Sequence, residues 1–371
     1  MRESKTALFY VNPAIVRNQL TYYKGAIEKK LSRIAQNLKD NGYDVTIIAN
    51  EFDASWVKRH FPVFNVIECS VENSFEMFGS LNNHEEAIYQ SQNVSQSEVL
   101  STFIETAGIE EPELVVVWET PSSFLQTSFP NAKILNLMPG FLSRVPFPEL
   151  YTIDTQGLFK EASFYKTITN ESLPEPHPEA VALLEDIRND LLPSMEQDNP
   201  FTREVLDPES KYKRLVLVPL QITDHYAFKA DCTHESQLSM LFAVMQALPS
   251  DVGVVVTQYN SKSASELAMD SEKLEMIQAK WPNLIYDKRF ELLDHISQYL
   301  VSTVDAVISF SSSIGLQALL WSKPFVSLGQ SHIHPFATHS SVSDWLTDFV
   351  HDDERRVEAD KKLCYLLSTY N

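Results

Sequence analysis

The chain has 371 residues, 44% of them hydrophobic, and a formal net charge of −20. That length accommodates two domains of ordinary size, and the acidic balance argues against sequence-independent binding to nucleic acid, which needs a basic surface. The three cysteines are far apart, so neither a disulfide framework nor a zinc site is indicated, and a reducing cytoplasm is the simplest location. No apolar run reaches the ~18 residues of a membrane span, so we expect at most peripheral membrane contact.

The first half of the chain alternates predicted strands with predicted helices. Apolar residues at helical spacing predict a helix over 18–38, and the polar stretch 71–112 is predicted to be mostly helical. Short apolar runs predict strands at 6–11, 45–48, 64–67, 114–118 and 134–137. Such alternation is typical of a mainly parallel sheet with right-handed crossovers.

Residues 138–212 have a different pattern, because prolines interrupt every long element except a helix near 178–192. We interpret this segment as an insertion and linker. Further strands are predicted at 215–218, 252–257, 284–286, 306–310 and 325–328. The sequence therefore predicts an N-terminal Rossmann-like domain over 1–212, a C-terminal Rossmann-like domain over 213–337, and terminal helices over 338–371.

Residues 304–329 are the most informative run in the sequence. A buried strand is followed by Ser311, Ser312 and Ser313, then by a helix and a second strand, which together make one βαβ step. Free backbone N–H groups and the positive end of the helix dipole meet where that helix begins, and they can hold a phosphate. A serine at this place can equally be an ordinary N-cap, so the local pattern leaves both interpretations open.

This run resembles the nucleotide-sugar half of GT-B glycosyltransferases. More narrowly, it is similar to the retaining β-Kdo transferases of the KpsC-like and WbbB-like family. The shared elements are, in chain order, Val218-Pro219, Gln221, Ser312, Gly315, Ala318-Leu319-Leu320, Lys323-Pro324 and Leu328-Gly329.

The resemblance implies an α/β protein of GT-B type, with two Rossmann-like domains facing a cleft and the last helices packing back on the first domain. It implies transfer of Kdo from CMP-β-Kdo to a glycan or glycolipid acceptor in lipopolysaccharide O-antigen or capsule biosynthesis. The expected location is the cytoplasm, including the inner face of the inner membrane. The expected partners include the membrane surface and other polysaccharide-assembly domains. No cofactor or metal is expected, because a single-phosphate leaving group can be stabilised by protein donors alone, and no D-x-D run or Walker loop is present.

Four residues are candidates for the chemistry. Alignment with the family places its nucleophilic aspartate at position 232, where this chain has Cys232, and Asp231 takes the role if the register differs by one residue. A buried cysteine without a role is the structural alternative. Asp154, in an element similar to the family's iD-x-x-G, and Glu119, after a buried strand, are acceptor-side candidates. Glu119 can equally be an acidic residue favoured at a helix N-terminus.

The donor-binding candidates are polar residues that follow predicted strands of the second domain. A glutamine that satisfies a strand end and histidines in a surface loop are the structural alternatives. The candidates are Gln221, Lys229, Gln258, Lys288, Ser311, Ser312, Ser313, Gly315, His332 and His334.

Two other classes of function compete with this hypothesis. A sugar-nucleotide epimerase or a sialyltransferase-like enzyme would use the same type of fold with a different donor. An inactive sugar-nucleotide-binding module would bind the donor without turnover, and replacing Cys232 by aspartate distinguishes this from an enzyme that only lacks its nucleophile.

Overall fold

The computed structural model describes residues 5–12, 24–73, 89, 94–148, 150–170, 173–223, 225–258, 268–347 and 353–369. The chain divides into two compact units, the first formed by Met1–Met138 with Thr152–Ser163 and the second by Pro139–Tyr151 with Phe164–Asn371. Residues 164–212, which the sequence assigned to the N-terminal domain, therefore group with the second unit.

The first unit is built on a six-stranded sheet with the order β3-β2-β1-β4-β5-β6. The pairs β1/β2, β2/β3, β1/β4 and β4/β5 are parallel. Strand side chains such as Leu8, Val115 and Val117 are buried, because parallel sheets are covered on both faces. The strands are β1 (Lys5–Tyr10), β2 (Tyr43–Asn50), β3 (Asn65–Cys69), β4 (Leu114–Trp118), β5 (Lys133–Pro139) and β6 (Tyr151–Asp154).

The described helices that accompany this sheet cover Ile27–Leu31, Ser32–Asp40, Glu51–His60, Val94–Thr106, Ser123–Ser128 and Phe159–Glu161. Strand β6 lies inside the proline-rich segment and was not predicted. It is an edge strand, a place where a short strand beside prolines is tolerated. Residues 18–23 of the predicted helix 18–38, and residues 74–88 and 90–93 of the stretch 71–112, lie outside the described residues.

The second unit is built on a five-stranded parallel sheet with the order β11-β10-β7-β8-β9. Its strands are β7 (Arg214–Pro219), β8 (Val252–Thr257), β9 (Leu284–Ile285), β10 (Ala306–Ser309) and β11 (Phe325–Ser327). Its helices cover Ser163–Asn170, Pro178–Asp186, Ile187–Leu191, Leu192–Gln197, Arg203–Leu206, Tyr226–Asp231, Gln237–Ala247, Ser271–Lys280, Lys288–Leu292, Ile296–Thr303, Ile314–Leu320, His334–Phe336, Val342–Thr347 and Asp353–Thr369.

The predicted fold class, α/β with two Rossmann-like domains, is confirmed. Both sheets place their first strand in the interior and extend from it in two directions, which is the doubly wound arrangement. The order reverses between β1 and β4 in the first unit and between β7 and β10 in the second. Open α/β sheets bind ligands beyond the carboxyl ends of the strands at such switch points.

The C-terminal helix Asp353–Thr369 packs on Pro178–Asp186 and on Ile314–Leu320. The guanidinium group of Arg188 ties these elements together, donating to Asp360 at 2.8 Å and to the carbonyl oxygens of Leu319 and Leu320 at 2.9 Å each. All these partners lie in the second unit. Within the described ranges, no helix combines the length and apolar character needed to cross a bilayer.

Candidate functional site

The switch point of the second unit lies between the adjacent parallel strands β7 and β10, which pair at Val216–Ala306. The chain leaves the carboxyl end of β7 toward β8 on one side, and it leaves β10 toward β11 on the other. Two loops therefore begin side by side, one with Gln221 and the other with Ser311. The sequence predicted that both residues contact the sugar-nucleotide donor, but it could not show that they are neighbours.

A hydrogen bond joins these two loops, since the hydroxyl of Ser311 donates to Oε1 of Gln221 at 3.0 Å. The backbone N–H of Gln221 is held separately, by Oε1 of Gln237 at 3.0 Å. Both Gln221 and Ser311 are half-buried. Among the described residues, nothing accepts a hydrogen bond from Nε2 of Gln221, so this amide can donate to an incoming oxygen.

The three serines differ in their surroundings. The side chain of Ser312 is only 8% exposed, and its Oγ accepts from the backbone N–H of Ile314 at 3.3 Å. Ser313 is the N-cap of the helix Ile314–Leu320 but makes no side-chain cap bond, and it is half-buried. The capping interpretation thus applies to Ser312. Ser311 and Ser313 are half-buried residues.

Gly315 lies where the same helix crosses β11. A Cβ atom built at this position would lie 2.5–2.7 Å from three ring carbons of Phe325, closer than real Cβ contacts allow. Close packing of helix on strand therefore explains the glycine by itself. Its predicted contact with the donor stays a prediction.

Position 232 follows the short helix Tyr226–Asp231 on the β7 side of the switch point. The backbone N–H of Cys232 donates to the carbonyl oxygen of Phe228 at 2.9 Å, and the residue is half-buried against the core. Burial raises the pKa of the Cys232 thiol, while a hydrogen bond from the backbone of His234 acts in the opposite direction and the charge of Asp231 adds to the rise. The thiol is consequently protonated at neutral pH, and the thiolate is the nucleophilic form.

The loop after β11 also lies beside position 232. Gly329 has a φ of 136°, in the region that favours glycine, and a Cβ atom built there would lie 3.1 Å from the ring of Phe310 and 3.6 Å from the carbonyl oxygen of Asp231. The hydroxyl of Ser331 donates to the carbonyl oxygen of Phe310 at 2.5 Å. The ring of Phe310 also packs edge-on against Phe228, with centroids 5.3 Å apart. Loops from β7, β10 and β11 therefore meet beside position 232.

Two residues that were predicted to bind the sugar-nucleotide donor follow β8 and β9 instead. The side-chain amide of Gln258 donates to the carbonyl oxygen of Met269 and to the hydroxyl of Tyr286, each at 2.9 Å, and accepts from the backbone of Met269 at 3.0 Å. These bonds tie Gln258 to Met269 and Tyr286, which gives it a structural role. Lys288 is exposed and begins the helix Lys288–Leu292. Lys229 is half-buried on the helix that precedes Cys232.

The two histidines after β11 differ in exposure. His332 is only 5% exposed, and its ring centroid lies 5.9 Å from that of Phe141. It is therefore part of the packed interior rather than a surface loop. His334 is half-buried, with Nε2 3.2 Å from Nε2 of Gln330.

In the first unit, Asp154 is a structural carboxylate. It is 2% exposed, and Oδ1 accepts from the backbone N–H groups of Gln156 at 2.7 Å and Gly157 at 3.2 Å. Oδ2 accepts from the backbone and the hydroxyl of Ser163 at 2.8 and 2.6 Å. With all of these bonds made, a carboxylate has no acceptor site left for a substrate proton. The local contacts therefore favour a structural role over the predicted acceptor-side one.

Glu119 follows β4 at the switch point of the first unit. Its φ of 40° is unusual for a residue other than glycine, and its backbone N–H donates to the carbonyl oxygen of Leu137 at 2.8 Å. Such backbone strain of ~1–3 kcal/mol is retained where surrounding structure or function demands it. The acceptor-side role of Glu119 stays a prediction.

Gln237 was not predicted as a functional residue. It begins the helix Gln237–Ala247, whose N-cap is Ser236, in a capping box with Ser239. The side chain of Gln237 accepts from the backbone of the β7 loop. No signal in the sequence points to this contact, because it depends on which groups lie beside the start of the helix in the fold.

A cavity of about 270 Å³ lies away from this switch point, between 336–338 and the C-terminal helix. Its cations are already engaged, since Arg355 pairs with Asp344 at 3.3 Å and Lys362 pairs with Glu358 at 3.3 Å. We therefore place the candidate site at the loops that follow β7, β10 and β11.

Comparison with known proteins gives one family match. Residues 194–336, less than half of the chain but including β7 to β11, match the family model described as capsule polysaccharide biosynthesis protein. No curated protein matches the chain.

Solved structures with a similar arrangement include two β-Kdo transferase structures of Thermosulfurimonas dismutans KpsC. The 2,7 transferase is 13% identical with a TM-score of 0.41, covering 85% of this chain and 89% of its own. The 2,4 transferase is 15% identical with a TM-score of 0.42, covering 67% and 79%. The N-terminal domain of Candida albicans trehalose-6-phosphate phosphatase is 12% identical with a TM-score of 0.44, covering 98% and 94%. Similarity at this level carries no argument about activity.

Proposed function

We propose that this protein is a glycosyltransferase of capsule or lipopolysaccharide O-antigen biosynthesis, and that it transfers Kdo from CMP-β-Kdo to a glycan or glycolipid acceptor with retention of configuration. The hydrogen bond between Ser311 and Gln221 across the second switch point carries the proposal. It brings together the two sequence elements that resemble the Kdo transferases. Both elements also lie within residues 194–336, which match the capsule family model.

The proposed donor site holds the phosphate of CMP by local hydrogen-bond donors. Nε2 of Gln221, the hydroxyl group of Ser313 and the ammonium group of Lys229 are the groups that we assign to this role. The hydroxyl of Ser311 donates a hydrogen bond to Gln221 and so orients that amide. Local donors are needed because the chain as a whole has a charge of −20 and repels an anion at long range. Donors aimed at the leaving phosphate stabilise the charge that develops as the bond to the anomeric carbon breaks.

Retention by double displacement needs a nucleophile at position 232. A carboxylate there would attack the anomeric carbon and release CMP, and the acceptor hydroxyl would then displace the carboxylate while its proton passes to a base. The thiol of Cys232 suits the first step poorly, because burial raises its pKa. In our proposal, the present chain binds the donor and turns it over slowly, and Asp231 is the alternative nucleophile.

The test compares the wild type with Cys232→Asp and Cys232→Ser. We expect all three to bind CMP in a calorimetric titration, and we expect Cys232→Asp to transfer Kdo from CMP-Kdo at least ~10-fold faster than the other two. Serine is the matched control, because it changes the sulfur without supplying an acid. Absence of CMP binding by the wild type would reject the donor site, whereas CMP binding with no gain in Cys232→Asp would reject only the nucleophile.

The raised pKa of the Cys232 thiol also favours one alternative, an inactive module that binds the sugar nucleotide. The same comparison separates the two functions. An inactive module would bind CMP in all three forms and would show no transfer in any of them, including Cys232→Asp.

A further inference from the structure

We propose that Gln237 is a positioning residue for the donor site, holding the β7 loop so that Gln221 presents its amide to the ligand. This inference rests on the proposed function and deepens it. Gln237 does not follow a strand and resembles no family element quoted above. Its assignment comes from its contacts alone.

Two hydrogen bonds join Gln237 to the β7 loop, and a third joins that loop to the loop after β10. Its Oε1 accepts from the backbone N–H of Gln221 at 3.0 Å, and its own backbone N–H donates to the hydroxyl of Thr223 at 3.2 Å. The side chain of Gln221 then accepts from Ser311 at 3.0 Å. The chain of contacts therefore runs from the first residue of the helix Gln237–Ala247, through the β7 loop, to the loop after β10.

These bonds define which way Gln221 faces. With its backbone held by Gln237 and its Oε1 occupied by Ser311, the group left to face a ligand is Nε2, a donor. A donor suits a phosphate or a base carbonyl oxygen, whereas a carboxamide turned the other way would present an acceptor to an anion. Gln237 thus contributes to specificity by fixing the position of a loop residue that binds the ligand.

Gln237 itself does not bind the ligand, because it is 0% exposed. Its Nε2 has no hydrogen-bond partner among the described residues. Burying an amide with an unsatisfied N–H is costly for folding, and an apolar side chain of the same length would avoid that cost. A stability role alone therefore does not account for a glutamine here, whereas the bond to Gln221 needs its oxygen.

The test uses Gln237→Met and the matched control Gln317→Met. Gln317 is 2% exposed and also has an unpartnered Nε2, and it makes no hydrogen bond to residues 221–223. We expect Gln237→Met to weaken CMP binding ~5-fold or more, the loss typical of one or two hydrogen bonds, and Gln317→Met to change it less than twofold. Gln237→Glu, which keeps an oxygen for the N–H of Gln221, should bind CMP more tightly than Gln237→Met.

Hydrogen exchange shows directly whether Gln237 holds the β7 loop, and CMP affinity shows whether that hold matters for the ligand. In the free protein, the peptide covering 220–223 should exchange faster in Gln237→Met than in the wild type, with no such change in Gln317→Met. If Gln237→Met does not fold, Gln237→Asn keeps an amide but shortens its reach, and it carries the same expectations.

The inference on Gln237 is overturned if the wild type binds CMP and Gln237→Met binds it equally well, or if exchange over 220–223 is unchanged. The proposed function fails separately, and visibly so, if the wild type itself does not bind CMP.

Discussion

Two polar residues at strand ends, one in each unit, use their bonding capacity in opposite ways. Asp154 ends the edge strand β6 of the first sheet, and its carboxylate has every acceptor site filled by the loop 156–163. At the second switch point, Gln221 is fixed through its backbone and its Oε1, while Nε2 has no acceptor among the described residues. In the sequence, both residues are polar groups at strand ends. Only their contacts in the structure show that their roles differ.

The difference between Asp154 and Gln221 gives a criterion for separating structural residues from residues that bind a ligand. A polar group whose bonding capacity is fully used acts on stability when it is removed, because its partners are left unsatisfied. A polar group that is held in place with one donor or acceptor open acts on ligand affinity instead. Asp154 and Gln258 belong to the first kind, and Gln221, held by Gln237 and Ser311, belongs to the second.

The largest effect that this comparison predicts is on stability in the first unit. Asp154→Asn replaces one acceptor oxygen by an amide that faces N–H donors, so backbone groups of the loop lose their partner. We expect the free energy of unfolding to fall by about 3 kcal/mol, measured by urea denaturation.

The control is Asp186→Asn, the same change at an exposed position, for which we expect a change within about 0.5 kcal/mol. A stable Asp154→Asn protein that has lost only catalytic activity would contradict the structural role and restore Asp154 as an acceptor-side residue.

The second prediction concerns the packing below the serine turn. Gly315→Ala places a methyl group against the ring of Phe325, at 2.5 Å before any adjustment, and we expect a loss of about 1–3 kcal/mol from overpacking. Thermal and urea unfolding measure it. Gly25→Ala is the matched control, since nothing lies within 4 Å of a Cβ atom there. Within a helix it should stabilise the protein by up to about 1 kcal/mol. Equal effects of the two variants would show that the space around Gly315 adjusts.

The third prediction concerns Gln221, whose side-chain amide can donate to a ligand. Ser311→Ala removes the hydroxyl that orients Gln221, so we expect CMP affinity to fall by ~2- to 10-fold, the effect of one net hydrogen bond of about 0.5–1.5 kcal/mol. The unfolding midpoint should hardly change, because both groups are half-buried and can bond to water. Ser101→Ala removes a part-buried hydroxyl that bonds to Ser128 in the first unit at 2.9 Å, and it should leave CMP affinity unchanged. Titration calorimetry of the two variants measures the contrast.

Much of the fold was predictable from the sequence, and less of the site. Short apolar runs located ten of the strands, because buried parallel strands need continuous apolar residues. Strand β6 was missed, since prolines surround it. At the site, Gln221 and Ser311 were predicted separately, but their hydrogen bond depends on the order of the strands. The roles of Gln237 and Asp154 could not be predicted, because they depend on which neighbouring groups fill their bonding capacity.

The smallest predicted effect is a change in thiol reactivity at position 232. Because burial raises the pKa of the Cys232 thiol above the ordinary value of 9.0, the thiolate is scarcer at any pH below that range, and alkylation should be slower than for a free thiol. The rate of alkylation by iodoacetamide, measured by mass spectrometry, should rise with pH and reach its midpoint above 9.0. Cys69 and Cys364 are buried and serve as internal controls that should stay unmodified in the folded protein. If CMP binds beside position 232, it should slow alkylation further at every pH without moving the midpoint downward. A midpoint below about 7.5 would mean that Cys232 is an activated thiolate, and Cys232 itself would then be the candidate nucleophile.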